Sequence, residues 1–111
     1  MITIDALRAL ALELPEAVEA DHHGRPSFRV GGKIYATLPD AEHVNVMLDA
    51  QGISAAIQHP SGAYAELRWG KTLAGVQVDL QRAGAPEVAA LLAEAWARKA
   101  PKRLSRPRSA P

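Results

Sequence analysis

By residue type, the groups able to do chemistry in this 111-residue chain are four histidines, five serines, a Gly-Gly-Lys run and twelve scattered carboxylates. His22 and His23 are neighbours in a stretch that reads as extended, so their side chains leave on opposite sides and do not readily chelate one ion. His43 and His59 would have to converge on them from elsewhere, and no carboxylate stands at a ligand spacing. Gly31-Gly32-Lys33 lacks the wider glycine spacing, the Lys-Ser/Thr ending and the following helix of a phosphate loop. None of Ser27, Ser54, Ser61, Ser105 and Ser109 sits in a nucleophile elbow. Glu66 and Asp79, on neighbouring predicted strands, are the one carboxylate pair placed for acid/base work, and solvated cross-strand charges are their ordinary role. With no cysteine, thiolate metal sites, disulfides and cysteine nucleophiles are excluded. The expectation is a protein with no catalytic residue, no metal and no cofactor.

The elements that must position these residues are well marked. Residues 3–14, "TIDALRALALEL", place Ile4, Leu7, Leu10, Ala11 and Leu14 on one helical face behind a Thr3 cap, and Pro15 ends the run. "SFRV", "GG" and "KIYATL" have the form of a hairpin, since two-residue turns need the positive φ that Gly31 and Gly32 adopt without a Cβ clash. In it Phe28 and Val30 alternate with Ser27 and Arg29, and Ile34, Ala36 and Leu38 with Lys33, Tyr35 and Thr37. "HVNVML" makes a third strand. A short helix follows, capped by Asp49, with Ile53, Ala56 and Ile57 inward. "AYAELRW" and "LAGVQVDL" are two more alternating segments around the turn "GKT", with Trp69 read on the apolar face and Tyr64 and Arg68 on the polar one. The last helix carries the stripe Val88, Leu91, Leu92, Ala95 and Trp96, has Pro86 near its start and stops at Pro101. Strands with one apolar and one polar face suit an antiparallel sheet covered on one side. The predicted fold is α+β: a two-layer α/β sandwich, α-β(3)-α-β(2)-α, with a five-stranded antiparallel sheet and its helices on one face.

Charge is distributed unevenly. Up to residue 97, seven basic residues face twelve acidic ones, a net of −5, whereas residues 98–111 carry six basic residues and no acid. Residues 1–100 therefore read as one domain and 101–111 as a basic, flexible tail. No apolar run is long enough to span a membrane, and the first residues lack a basic leader and a cleavage pattern, so a cytoplasmic protein without a membrane partner is expected.

Two surfaces could bind a partner. By alternation the wet sheet face presents Arg29, Lys33, Tyr35, His43, Asn45, Tyr64, Arg68 and Gln77, on which bases or peptide could stack and pair. The C-terminal cations, Arg98, Lys99, Lys102, Arg103, Arg106 and Arg108, could neutralise phosphates without sequence preference.

The chain also resembles the MmcQ/YjbR family of small bacterial proteins over nearly its whole length. The matching pieces are "LELPEAVE", "GRPSFRVGGKIYATL" and "LLAEAWARKAPKRL", in that order and spacing. The resemblance implies an antiparallel two-layer fold similar to secretion chaperones. It also implies DNA binding through a double-wing motif, the role for which family members are commonly labelled, and it brings no catalytic residues. Asp49 to Gly62 departs most from the family pattern, being shorter and poorer in charge. Two partners follow as expectations: DNA, held non-specifically through its phosphates by the tail and by Arg29, Lys33, Tyr35 and Arg68, or a protein docked on the open sheet, as in an adaptor. Nothing in the sequence demands an oligomer, and a monomer is expected.

Overall fold

The computed structural model describes residues 1–105. Its elements are α1 (Ile4–Leu12), β1 (Val18–His22), β2 (Arg25–Val30), β3 (Lys33–Thr37), β4 (His43–Met47), α2 (Ala50–Ile57), β5 (Tyr64–Trp69), β6 (Thr72–Asp79), α3 (Ala85–Lys99) and the single turn α4 (Lys102–Ser105). Capping fixes the helix starts: Thr3 accepts from the Ala6 amide at 3.1 Å and Asp49 from Gly52 at 2.8 Å.

The sheet has six antiparallel strands in the order β1-β2-β3-β4-β6-β5, not the five expected. The extra one is β1, "VEADH", an edge strand whose acids and small residues give little apolar alternation. It is joined to β2 by His23 and Gly24, which adopt φ of 53° and 82°, so the second histidine is a turn residue rather than part of a strand. The next hairpin turns at Gly31 and Gly32, with φ of 57° and 78°, as their sequence requires.

All the long helices cover one side: α3 lies across β2, β3 and β4, α2 across β5 and β6, and α1 packs on α3. Between helices and sheet the core gathers Phe28, Val30, Val44, Val46, Val76 and Val78 from the strands, and Leu7, Ala11, Ile53, Val88, Leu92 and Ala95 from the helices. Burying such side chains contributes roughly 1.5–3 kcal/mol each before the chain-ordering cost is set against it. Trp96 joins this core and ties α3 to the end of α1 by donating from Nε1 to the Pro15 carbonyl at 2.9 Å. Ile57, expected inward, is exposed at the end of α2.

Two bulges change which residues face the core. Between β2 and β3 the register steps from Phe28–Ala36 to Arg29–Ile34, leaving Tyr35 as the extra residue. Its ring turns in with Ala36 and is fully buried, and Oη donates to the Ala11 carbonyl at 2.8 Å. Tyr35 is therefore a core residue, not a member of the wet face. Ile34 takes that place beside Arg29.

Between β5 and β6 the register steps from Leu67–Gly75 to Arg68–Leu73, with Ala74 extra. The faces of β5 are the reverse of those expected. Tyr64 pairs with Val78 and enters the core, 7% exposed, while Ala65, Leu67 and Trp69 lie on the open face, with Trp69 54% exposed. Glu66 and Arg68 project on the helix side, paired with each other at 3.4 Å, so neither belongs to a binding surface on the open face. Glu66 and Asp79 are accordingly on opposite faces.

Past Pro101 the chain continues as α4. Arg103 forms a two-pronged pair with the Glu16 carboxylate at 2.8 and 2.9 Å, and Leu104 packs half-buried against the core. Arg106 and Arg108 lie outside the described residues.

Candidate nucleic-acid interface

The open face is built from two rows of side chains running across the strands. One row follows the register through Ala20, Ser27, Thr37, Asn45, Gln77 and Ala65, one residue from each strand. These side chains are short or hydrogen-bonded flat: Ser27 Oγ donates to the Ala20 carbonyl at 2.7 Å and Gln77 Nε2 donates to Asn45 Oδ1 at 3.2 Å. Ser27, Thr37 and Asn45 are buried although no helix covers them. A low row of this kind leaves a shallow trough.

The second row, towards the C-terminal end of α3, is apolar and basic. It contributes a groove of about 420 Å³ lined by His22, Arg29, Gly32, Lys33, Ile34, Met47, Trp69 and Lys99. Ile34 and Met47 are its apolar lining, and Trp69 is its exposed aromatic wall. Gly75, opposite both Met47 and Leu67 in register, puts no side chain between β4 and β5. Three permanent cations border the groove, and no carboxylate is among its lining residues.

Each basic residue is placed by a local cause. Arg29 shares the open face with Ser27, and its guanidinium is held there by Nε donating to Ser27 Oγ at 3.1 Å and Nη2 donating to the Asp21 carbonyl at 3.0 Å. That leaves its remaining N–H groups for a ligand. Lys33 follows the Gly31–Gly32 turn and is exposed. The end of α3 passes the end of β4, where Arg98 Nη1 donates to the Met47 carbonyl at 3.1 Å and brings the neighbouring Lys99 to the rim. Pro101 then seats against Gly31, where an added Cβ would lie 2.9 Å from Pro101 Cγ, so the helix end and the hairpin turn are fixed relative to each other.

Of the residues proposed from sequence, Arg29, Lys33 and Lys99 come together, and Arg98 supports them from behind. Tyr35 and Arg68 do not join them. Arg103 is engaged by Glu16, whose carboxyl is held below its ordinary range chiefly by that hydrogen bond, and Lys102 is exposed on α4. His43 and Asn45 are on the open face, but His43 is turned to Asp40, with Nδ1 2.9 Å from Oδ1. His22, Ile34, Met47 and Trp69 were missed. For Ile34 the signal is hidden by the bulge; for Trp69 it lies in the alternation, which separates the two faces of β5 without saying which of them meets the core.

Among the described residues no three His, Cys, Asp or Glu side chains gather as a metal would need, and no helix is long and apolar enough to cross a membrane. Neither the curated proteins nor the solved structures contain a match to this chain. A family model does match: residues 12–98, from the end of α1 through nearly all of α3 and including the whole sheet, fit the model described as YjbR. The three sequence pieces that carried the resemblance lie largely within that span, and the chain belongs to the YjbR family.

Proposed function

We propose that this protein is a nucleic-acid-binding module, not an enzyme, and that its binding surface is the groove on the open sheet face. The observation that carries the reading is the position of Trp69: a half-exposed indole facing an apolar lining of Ile34 and Met47, within a rim of Arg29, Lys33 and Lys99. An exposed indole is a stacking platform for a base, and such stacking is worth about 1–3 kcal/mol per base. Cations at the rim suit the phosphates on either side of a stacked base, and guanidinium and ammonium groups supply sequence-independent affinity. The basic residues beyond α4 add charge in the same sense. Stacking also requires an unpaired base, so single strands are favoured over duplex.

A second reading is supported by a different observation. Val18 and Trp69 are large apolar side chains, each 54% exposed, on the two edge strands of the open face, which is a pattern that a docking protein would cover. This is the adaptor role, and salt separates it from the first because phosphate contacts weaken steeply with ionic strength while apolar docking does not.

The test is fluorescence anisotropy with labelled single- and double-stranded DNA across a salt series. The full chain is compared with a Lys33→Ala/Lys99→Ala double variant and with a version ending after Ser105. The groove reading expects tighter binding of the single strand and a log–log salt slope about 1–2 units shallower in the double variant. Loss of all binding on truncation alone, with the double variant unchanged, would assign the phosphates to the tail instead. No binding at low salt by any version would leave the adaptor reading.

A further inference from the structure

The helix side of the molecule carries a second concavity, of opposite character to the groove. Between α2 and α3 lies a cleft of about 250 Å³ lined by Gly52, Ala55, Ala56, His59, Tyr64, Glu87, Ala90, Leu91 and Glu94. We propose that this cleft binds a linear aliphatic diamine, with one ammonium group at Glu87, the other at Glu94 and the methylene chain lying on the alanines between them. The inference is independent of the nucleic-acid reading, since it concerns the other side of the sheet.

Charge and spacing are the first support. Glu87 and Glu94 are seven residues apart on α3, two helical turns or about 10 Å along the axis, on the same face. Both are exposed, and neither has a hydrogen bond or a cationic partner among the described residues. The surface between them is made of Ala55, Ala56, Ala90 and Leu91, which offer methyl groups and no polar side-chain atom. Two unpaired anions at the ends of an apolar trough match two cations at the ends of an alkyl chain. A single ammonium would leave one carboxylate unmatched, and a fatty chain would leave both.

Tyr64 is the second, independent support. Tyr64 forms part of the cleft wall and is more than nine-tenths buried, yet its hydroxyl has no hydrogen-bond partner among the described residues. A buried hydroxyl without a partner costs free energy, and native structures ordinarily satisfy such groups. An ammonium at the Glu87 end would donate to Tyr64 Oη as well as to the carboxylate. The two groups already act on one another: burial first, and the Glu87 charge second, hold the Tyr64 phenol above its usual range. His59, its ring centroid 5.4 Å from that of Tyr64, closes the same side of the cleft. Backbone geometry keeps the trough open. Gly52 stands where an added Cβ would come 3.2 Å from the Glu94 carboxylate, so any side chain there would fill the second ammonium position.

The experiment is a ¹H–¹⁵N NMR titration of the nucleic-acid-free full chain with putrescine, cadaverine and spermidine, with n-butylamine as the single-ammonium comparison. The expected result is saturable shifts concentrated at Gly52, Ala55, Ala90 and their neighbours, with n-butylamine clearly weaker. Glu87→Gln and Glu94→Gln should each weaken diamine binding about fivefold, the worth of one exposed ion pair. Tyr64→Phe should weaken it too while leaving the free protein at least as stable, because it deletes an unsatisfied hydroxyl. Shifts scattered over all acidic residues, or binding unchanged by both Gln variants, would overturn the proposal. So would n-butylamine binding as well as putrescine, which would make this a site for a lone ammonium such as a lysine side chain.

Discussion

Tyr35 Oη donates a 2.8 Å hydrogen bond to the carbonyl of Ala11, joining the bulged residue of a central strand to the last turn of the first helix. The Ala11 carbonyl lies at the helix end, where backbone acceptors lack intrahelical partners. The bond therefore gives α1 a C-terminal partner and gives the buried phenol an acceptor. Burial in turn pushes the Tyr35 phenol up to about 12, so it stays protonated and donating throughout the physiological range. Tyr35→Phe is expected to cost about 1 kcal/mol, since it deletes the shorter of the two bonds to the Ala11 carbonyl and leaves only the Leu14 amide, at 3.4 Å, to donate to it. Tyr35→Ala should cost about 3–5 kcal/mol through the cavity it opens. Chemical denaturation of the two variants checks both values, and a neutral Tyr35→Phe would show that the Leu14 amide alone satisfies the Ala11 carbonyl.

Gly75 makes the next claim testable. A Cβ built on it would lie 2.0 Å from the Val46 carbonyl oxygen, closer than any side chain can approach backbone. The bulge at Ala74 brings β6 against β4 in this way and keeps the open face bare between Met47 and Leu67. Gly75→Ala must therefore displace a central strand, and a loss of about 3 kcal/mol or more is expected. Gly32, by contrast, meets nothing within 4 Å, and Gly32→Ala should cost only about 1 kcal/mol for its φ of 78°. A thermal-melt comparison of the two ranks them. The reverse order would contradict the sheet geometry.

His43 and Asp40 give stability a defined dependence on pH. The hydrogen bond to Asp40 is the largest cause raising the His43 imidazole above its ordinary value, and Asp40 is held low first by the Glu42 amide and then by His43. A raised histidine contributes stability that is fully present below its unfolded pKa and is lost as pH rises through the folded one. A lowered carboxylate contributes stability present above its unfolded pKa and lost as pH falls through the folded one. The pair is therefore worth most between the ordinary ranges of the two groups, near pH 5. Its value is a few tenths of a kcal/mol because both side chains are partly solvated. The stability difference between the native chain and His43→Gln should be largest near pH 5 and shrink by pH 8. A flat difference across that range would mean that the bond does not depend on the imidazolium.

How much of this was legible in the sequence depends on what kind of information each feature needs. The Thr3 and Asp49 caps, the Gly31–Gly32 turn and the α3 stripe were readable because each is fixed by neighbours a few residues away. Alternation in "AYAELRW" correctly separated Ala65, Leu67 and Trp69 from Tyr64, Glu66 and Arg68. It does not say which set meets the core, however, because exchanging the faces preserves the pattern. Only Tyr64 of its set is covered, while Glu66 and Arg68 remain exposed, so the more apolar set ended outside. Tyr35 and Ile34 exchanged roles through a one-residue bulge that no local propensity announces. β1 was missed because Glu19 and Asp21 mask the strand pattern, and Glu19 is on the helix side to meet Arg8 at 2.7 Å, a contact of tertiary origin. The groove itself was legible chiefly as its cations, since Ile34 reaches the open face through the β2–β3 bulge and Trp69 through a choice of face that alternation leaves open.

The groove is the central claim, and the two tryptophans allow it to be read directly. Trp69 is half exposed in the groove, whereas Trp96 is buried with its Nε1 committed to Pro15, so a ligand on the open face changes the emission of one and not the other. The measurement is intrinsic fluorescence during titration with short single-stranded DNA at low salt, on the native chain, Trp69→Phe and Trp69→Ala. The groove account predicts strong quenching in the native chain, none in either variant, and an affinity for Trp69→Ala weaker by about tenfold with stability unchanged. DNA that binds without quenching, and binds Trp69→Ala as tightly as the native chain, would contradict it.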